Sequence, residues 1–362
     1  MSKTWISLVF LTLSAPSFAI VNGTSLDWSK NDNAVQLDAQ FIDSEANCTG
    51  TLIAGRFVLT AGHCWKEGSP SYSVDTIRLY SNDTYSFTPL KLGENWGDDV
   101  ALLEVDEILP YTHFQTLIES NPLNKAWEAM TIAGFGSTER ALNQADFTIS
   151  NRTSVFGAQT LEAIFLGTSH TTNGDSGAAW INNNEIIAVH KGSQKMPGFD
   201  IETMGTNIDA PNVRQFLIDT VNGWHYPSIV KTSGGQATIT LQSLHSAPLA
   251  RSEISSNIML TNGTLNVAGS TCIDRSLASL NAFEKCTLLV DLDDAQTADL
   301  YLGQNQGIDE VIKLNGTMPT IKGDNNEILP PITPSSSGSG GSLGFLSLLG
   351  LVLCGRLRKR QG

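Results

Sequence analysis

No two cysteines in this chain are spaced Cys-x-x-Cys, and only five occur in 362 residues. Nothing in that spacing points to zinc, and no metal or other cofactor is expected. Positive charge is also scarce: Lys and Arg total 22 against 36 Asp and Glu, a formal −14. An acidic surface repels phosphate backbones, so nucleic acid is not an expected partner. The apolar stretch Leu343–Gly355 is short of the about 17–25 residues that a membrane-spanning helix takes. Charged residues make up 16% and hydrophobic residues 41%, enough to bury a core, and the length suits two domains plus processing segments.

Residues 1–19 read as a secretory signal. Lys3 is the positive end, Trp5 to Leu13 the apolar run, and Ser17 and Ala19 the small residues before a cleavage site. Export implies an oxidising compartment, where Cys48–Cys64 and Cys272–Cys286 are the simplest pairs and Cys354 is left over. Each pair closes a loop of roughly fifteen residues, worth about 3 kcal/mol. At the other end, residues 326–342 form a Pro, Ser and Gly linker, and residues 343–362 an apolar run with the basic end Arg356-Leu-Arg-Lys-Arg. Losing the signal and this tail removes five positive charges and no acids, moving the formal charge from −14 to −19. With Gly340-Gly341 at its head, this end resembles the GlyGly-CTERM sorting signal of Gram-negative bacteria. The resemblance implies processing by a signal peptidase and a rhombosortase-like protease, transient contact with the inner membrane, and export to the surface or medium by type II secretion.

Between these ends the pattern is mostly β. Short runs recur at Asn33–Leu37, Thr51–Leu59, Thr76–Tyr80, Val100–Val105, Ala129–Ala133 and Glu185–His190, separated by Gly, Asn and Asp clusters. That spacing predicts closed antiparallel barrels over residues 20–223 rather than βαβ units. Pro211 to Val221 places Val213, Phe216, Leu217 and Val221 at helical spacing and predicts a closing helix. Residues 224–325 read as an accessory β-sandwich of immunoglobulin-like type, with Asn262-Gly263 as a hairpin turn between Asn257–Thr261 and Leu265–Ala268.

Three stretches carry chemistry. Thr171 to Trp180 reads Thr-Thr-Asn-Gly-Asp-Ser-Gly-Ala-Ala-Trp, a serine between glycines with an aspartate before it. Glycines at 174 and 177 let backbone approach closely, and the amides of Gly174 and Ser176 could face a developing oxyanion. Thr60-Ala61-Gly62-His63-Cys64 ends an apolar strand and places a histidine beside a disulfide, which fixes it as a proton-transfer base requires. Asp98-Asp99-Val100-Ala101-Leu102-Leu103 sets an acid at the mouth of an apolar strand.

With these residues in the order His, Asp, Ser, residues 20 to about 222 resemble a chymotrypsin-like, trypsin-fold serine peptidase. Ile20-Val21-Asn22-Gly23 matches the mature start and Gly134-Phe135-Gly136 the Gly-aromatic-Gly turn. The resemblance implies a double six-stranded antiparallel β-barrel and peptide or protein substrates. It makes Ser176 the nucleophile, His63 the base and Asp99 its orienting acid, with Gly174 and Ser176 as the oxyanion hole. Asp98 is the rival of Asp99; Asp99 is preferred because Val-Ala-Leu-Leu follows it directly. The resemblance also implies that the freed Ile20 ammonium pairs with Asp175 and orders the site, and cleavage after Ala19 would create that terminus with no propeptide.

The pocket departs from trypsin. His170 stands six residues before the serine where trypsin carries Asp, and Thr172 replaces a bracing cysteine. His190-Lys191-Gly192 matches the strand that usually reads Ser-Trp-Gly. Thr171 and His190 resemble the Thr and His in the pockets of glutamyl endopeptidases, where a histidine cation and a hydroxyl suit a carboxylate. The substrate pocket is therefore read as His170, Thr171, His190 and Gly192, with cleavage after Glu or Asp. The alternatives are a small-residue or Arg/Lys preference, with Asp200 reaching into the pocket in the latter case, and a catalytically silent binding protein on the same fold.

Overall fold

The computed structural model describes residues 20–38, 47–66, 73–93, 98–120, 128–136, 138, 140–150, 154, 159–165, 168–195, 201–292 and 296–322. The leader, the linker, the apolar-basic tail, Cys354 and Asp200 lie outside the described residues.

Six strands close a barrel in the order Ala129–Gly134, Asn143–Ile149, Thr160–Phe165, Ile201–Asn207, Glu185–Lys195 and Ala179–Asn182, which pairs back to the first. Alternation explains its interior: Ala145, Phe147 and Ile149 are buried on one face of their strand, while Asp146 is exposed on the other. Ahead of it in the chain, seven strands form a second, curved sheet in the order Thr84–Tyr85, Thr76–Arg78, Ala34–Asp38, Cys48–Ile53, Phe57–Thr60, Val100–Glu104 and Thr88–Gly93. Among the described residues this sheet is a half-barrel, so the expected pair of six-stranded barrels is realised as one closed and one half-closed. The helix Pro211–Val221 follows, with Val213, Leu217 and Val221 buried as its spacing requires.

The Thr51–Leu59 run is two strands, not one. Ala54 and Gly55 turn at positive φ of 49° and 76°. The turn is held from afar: the amide of Ala54 donates to His225 Nδ1 (2.9 Å) and that of Gly55 to the Tyr111 hydroxyl (3.2 Å).

From Trp224 onward, two four-stranded sheets face each other. One runs Trp224–His225, Gln236–Ser243, Lys285–Asp291, Thr264–Asn266; the other Ile229–Val230, Ile308–Leu314, Ala298–Asn305, Met259–Leu260. Their shared core holds Ile239, Leu241, Leu288, Val290, Leu300, Leu302, Ile312 and Leu314. The expected hairpin across Asn262-Gly263 is absent. Met259–Leu260 pairs with Leu300–Tyr301 in one sheet, and Thr264–Asn266 with Leu289–Asp291 in the other. Both disulfides, Cys48–Cys64 and Cys272–Cys286, are formed.

The sandwich is bound to the barrels by buried polar groups. Fully buried Gln242 accepts from the Leu117 amide (2.8 Å) and donates to the carbonyls of Leu117 (2.6 Å) and Phe283 (2.8 Å). Burial lowers the His225 pKa to about 4, so its neutral ring accepts from Ala54 and donates from Nε2 to the Gln115 carbonyl (2.8 Å). Removing Gln242 would strand three backbone groups away from water. Gln242→Ala is expected to lower unfolding stability by about 2–4 kcal/mol, read as the urea midpoint; an unchanged midpoint would show that this seam is not held by that side chain.

Candidate active site

The strand Phe57–Thr60 is buried along its whole length and delivers the chain into a single 3-10 turn, Gly62–Cys64. The Cys64 disulfide to Cys48 ties that turn to the neighbouring strand. His63 is therefore presented from a fixed backbone. Its amide donates to Asp99 Oδ1 at 2.8 Å, and its ring Nδ1 lies 2.7 Å from Asp99 Oδ2. A carboxylate at Nδ1 places the ring proton there and leaves Nε2 a base. Asp99 is 5% exposed, whereas the His63 side chain is 40% exposed. The carboxylate is thus shielded while the imidazole meets the surface. Thr206 Oγ1 donates to the Asp99 carbonyl at 2.7 Å, holding the start of the Val100–Glu104 strand. Between the two rival acids, Asp99 is the one against His63; Asp98 accepts a hydrogen bond from Asn212 Nδ2.

The serine sits at the seam of the barrels. Its carbonyl accepts from the Thr49 amide (2.8 Å), next to Cys48 and hence to the histidine turn. Around it the chain turns at positive φ, 94° at Gly174 and 87° at Gly177. Both glycines are also sterically required. A Cβ on Gly174 would lie 1.8 Å from the Gly136 carbonyl oxygen, and one on Gly177 would lie 2.1 Å from the Thr49 carbonyl oxygen. The Asp175 amide donates to Thr172, Gly177 to His190 and Ala178 to Asp175. Among the described residues the amides of Gly174 and Ser176 have no such backbone acceptor. A pair of unspent donors beside a half-exposed serine is the arrangement an oxyanion hole needs.

Asp175 is fully buried. Its carboxylate accepts from the amides of Thr172 (2.8 Å) and Gly136 (2.9 Å). Burial nevertheless pushes its pKa up to about 7, the two amides pulling the other way. Ile20 is fully buried in the main core, and Val21 pairs with His170 through Val21 N to His170 O (2.9 Å) and His170 N to Val21 O (3.2 Å). The chain around Ile20 is thus bound, through its backbone, to the segment leading into the serine turn.

The expected pocket residues are brought together only in part. Thr171 Oγ1 is hydrogen-bonded to Ser193 Oγ, and Ser193 Oγ lies 3.1 Å from Thr203 Oγ1. His190 is buried, its Nδ1 accepts from the Trp180 indole (3.5 Å), and its Nε2 has no partner among the described residues. Burial first, and the nearby His63 second, lower its pKa to about 3. Burial therefore holds the ring neutral, where the resemblance implies a cation. With Nδ1 accepting, the proton sits on Nε2 as an unspent donor. At Gly192 a Cβ would meet nothing within 4 Å, so space lies open beside this strand.

Ser193 and Thr203, which are linked to Thr171 through their hydroxyls, carry no signal in the sequence. Lys191 Nζ donates to Thr160 Oγ1 at 2.7 Å, and burial, ahead of the opposing pull of Asp99 and Asp98, lowers its pKa to about 8. The strand register slips between His190 and Gly192, which breaks the alternation by which these residues could have been assigned to a face. The sulfurs of Cys48 and Cys64 lie within 4.8 Å of a His63 nitrogen, but both are spent in their disulfide and offer no thiolate to a metal.

The family model for trypsin matches residues 27–207. Among solved structures, the chain is similar to the VesB protease of Vibrio cholerae, with 17% identity and a TM-score of 0.44 over 82% of this chain and 99% of that one. It is similar also to the secreted serine protease VesC of Vibrio cholerae, with 17% identity and a TM-score of 0.43 over 81% of this chain and 70% of that one. An inactivated protease paralogue of the scabies mite matches at 18% identity and a TM-score of 0.43, over 55% of this chain and 98% of the other.

Proposed function

The chain belongs to the trypsin family, and from that premise we propose that it is an exported serine endopeptidase whose triad is Ser176, His63 and Asp99. The observation that carries the proposal is the double contact of Asp99 with the amide and ring of His63. Asp99 fixes the ring tautomer, so Nε2 can take the Ser176 hydroxyl proton as Oγ attacks the scissile carbonyl. The oxyanion then forms against the amides of Gly174 and Ser176. His63 returns the proton to the leaving amine, and water repeats the cycle on the acyl-enzyme.

Cleavage after Glu, and less readily Asp, fits the pocket. The Thr171 and Ser193 hydroxyls are donors for a carboxylate, the buried and unpartnered Nε2 of His190 is a third where a side-chain movement exposes it, and His170 occupies the position where an Arg- or Lys-specific pocket carries an acid. Because burial holds His190 neutral, recognition at neutral pH is by donation rather than by charge. A bound carboxylate would stabilise the cation and raise the His190 pKa from about 3. The test is a mixed peptide library digested by protein beginning at Ile20. Cuts are expected after Glu, with His190→Ala lowering kcat/KM on Glu-containing peptides by about 10- to 100-fold. Cuts after Arg or Lys would overturn the pocket reading and leave the triad standing.

Maturation belongs to the same proposal. Signal cleavage between Ala19 and Ile20 would free the ammonium that Asp175 needs, without a second protease. Among the described residues no helix is long and apolar enough to cross a membrane.

A further inference from the structure

After the last sandwich strand, Ile308–Leu314, the chain does not leave the molecule. It returns to the half-barrel. The Tyr80 hydroxyl donates to the Pro319 carbonyl at 2.6 Å, the Lys322 amide donates to the Ser81 carbonyl at 2.9 Å, and Lys322 Nζ lies 2.5 Å from Asp83 Oδ1. Between these anchors Ile321 is 6% exposed. It is packed in a small core of its own with Trp28, Tyr80, Phe135 and Leu142, and Met318 covers the edge.

Phe135 is the link to the chemistry. It is fully buried and meets the Trp28 ring edge-on at 4.6 Å. Its amide donates to Thr49 Oγ1 (3.1 Å), whose hydroxyl donates in turn to the Gly174 carbonyl (2.9 Å). The next residue, Gly136, donates its amide to Asp175 Oδ1, and its carbonyl oxygen packs so closely on Gly174 that no Cβ fits between them. A shift of the Phe135 ring that carries its own backbone along would thus displace two of the contacts that hold the serine turn.

We propose that residues 318–322 are a clasp, with Ile321 as a positioning residue that holds Phe135-Gly136 against the turn carrying Ser176. The sandwich is then part of the working peptidase, because it delivers this clasp to the half-barrel. The inference rests on Ser176 being the nucleophile of the proposed peptidase.

A loosened clasp leaves a fraction of molecules with a misplaced serine turn. That fraction lowers kcat and leaves KM unchanged, because the remaining molecules are normal. In the full processed chain, Ile321→Ala is expected to lower kcat roughly fivefold to fiftyfold with KM within about twofold, and Ile321→Val to restore most of the loss. Leu300→Ala, an equally buried change in the sandwich core, is expected to lower the melting temperature and keep kcat within about twofold. Should Ile321→Ala not fold, Tyr80→Phe removes only the hydroxyl bonded to Pro319, with about a threefold loss in kcat expected. Wild-type kcat in Ile321→Ala or Tyr80→Phe, or an equal kcat loss in Leu300→Ala, would overturn the clasp. A wild-type chain that neither hydrolyses peptides nor reacts at Ser176 would overturn the peptidase reading itself, and the clasp with it.

Discussion

Ser176→Ala is expected to lower peptide hydrolysis by about 10⁶ in kcat with little change in KM, and His63→Ala to do nearly the same. Each removes one end of a single proton transfer, so the double variant loses little more than either alone. Asp99→Asn costs less, about 10⁴, because the serine and base remain while the tautomer of His63 is wrong. The geometry behind this ranking is the 2.7 Å contact at Nδ1, backed by the 2.8 Å contact at the His63 amide. Active-site substitution that left hydrolysis within about tenfold would move the nucleophile elsewhere in the protein.

The proposed pairing of the Ile20 ammonium with Asp175 predicts a second large effect, from retaining one residue ahead of Ile20. A peptide-bonded Ile20 carries no charge, and buried Asp175 then has no cation to offset its desolvation. Breaking a buried ion pair costs about 3–5 kcal/mol, so the extended protein should be less active by roughly two to four powers of ten. The same difference has a pH signature. With Ile20 acylated, the folded-state pKa of Asp175 is raised to about 7 from 3.8. The folded form then binds the proton more tightly than the unfolded chain between those values, and stability falls as pH rises through that window. An Ile20 ammonium beside Asp175 depresses its pKa instead, and the contribution becomes present above the unfolded value and is lost as pH falls. Melting temperatures from pH 4 to 7 on Ser176→Ala protein, with and without Ala19, measure this. Parallel curves would mean that the two groups do not pair.

Local signals were legible where the partner was local or the constraint steric. The Pro211–Val221 helix reads directly from its proline and apolar spacing, and buries Val213, Leu217 and Val221. Gly-Asp-Ser-Gly reads because no side chain fits at 174 or 177. Where a distant group decides, the sequence is silent. Ala54 adopts a left-handed turn whose amide is taken by His225, 171 residues away. Asn262-Gly263 turns the chain, yet the strands on either side join different sheets, because pairing follows burial and not proximity in sequence. The burial of His190 beside Trp180 is hidden for the same reason: it comes from the sheet and not from its neighbours in the chain. The clasp is the extreme case. Ile321 is an ordinary apolar residue near a linker until it is seen in one cluster with Phe135 and Tyr80.

Ser176 is proposed as the nucleophile of a peptidase whose mature chain begins at Ile20. The most direct test is mass spectrometry of the processed protein after reaction with an alkyl fluorophosphonate, which bonds phosphorus to an activated serine oxygen as fluoride leaves. One adduct is expected, on Ser176, absent from His63→Ala and strongly slowed when Ala19 is retained. An adduct on another serine, or peptide hydrolysis that survives with Ser176 unmodified, would contradict it.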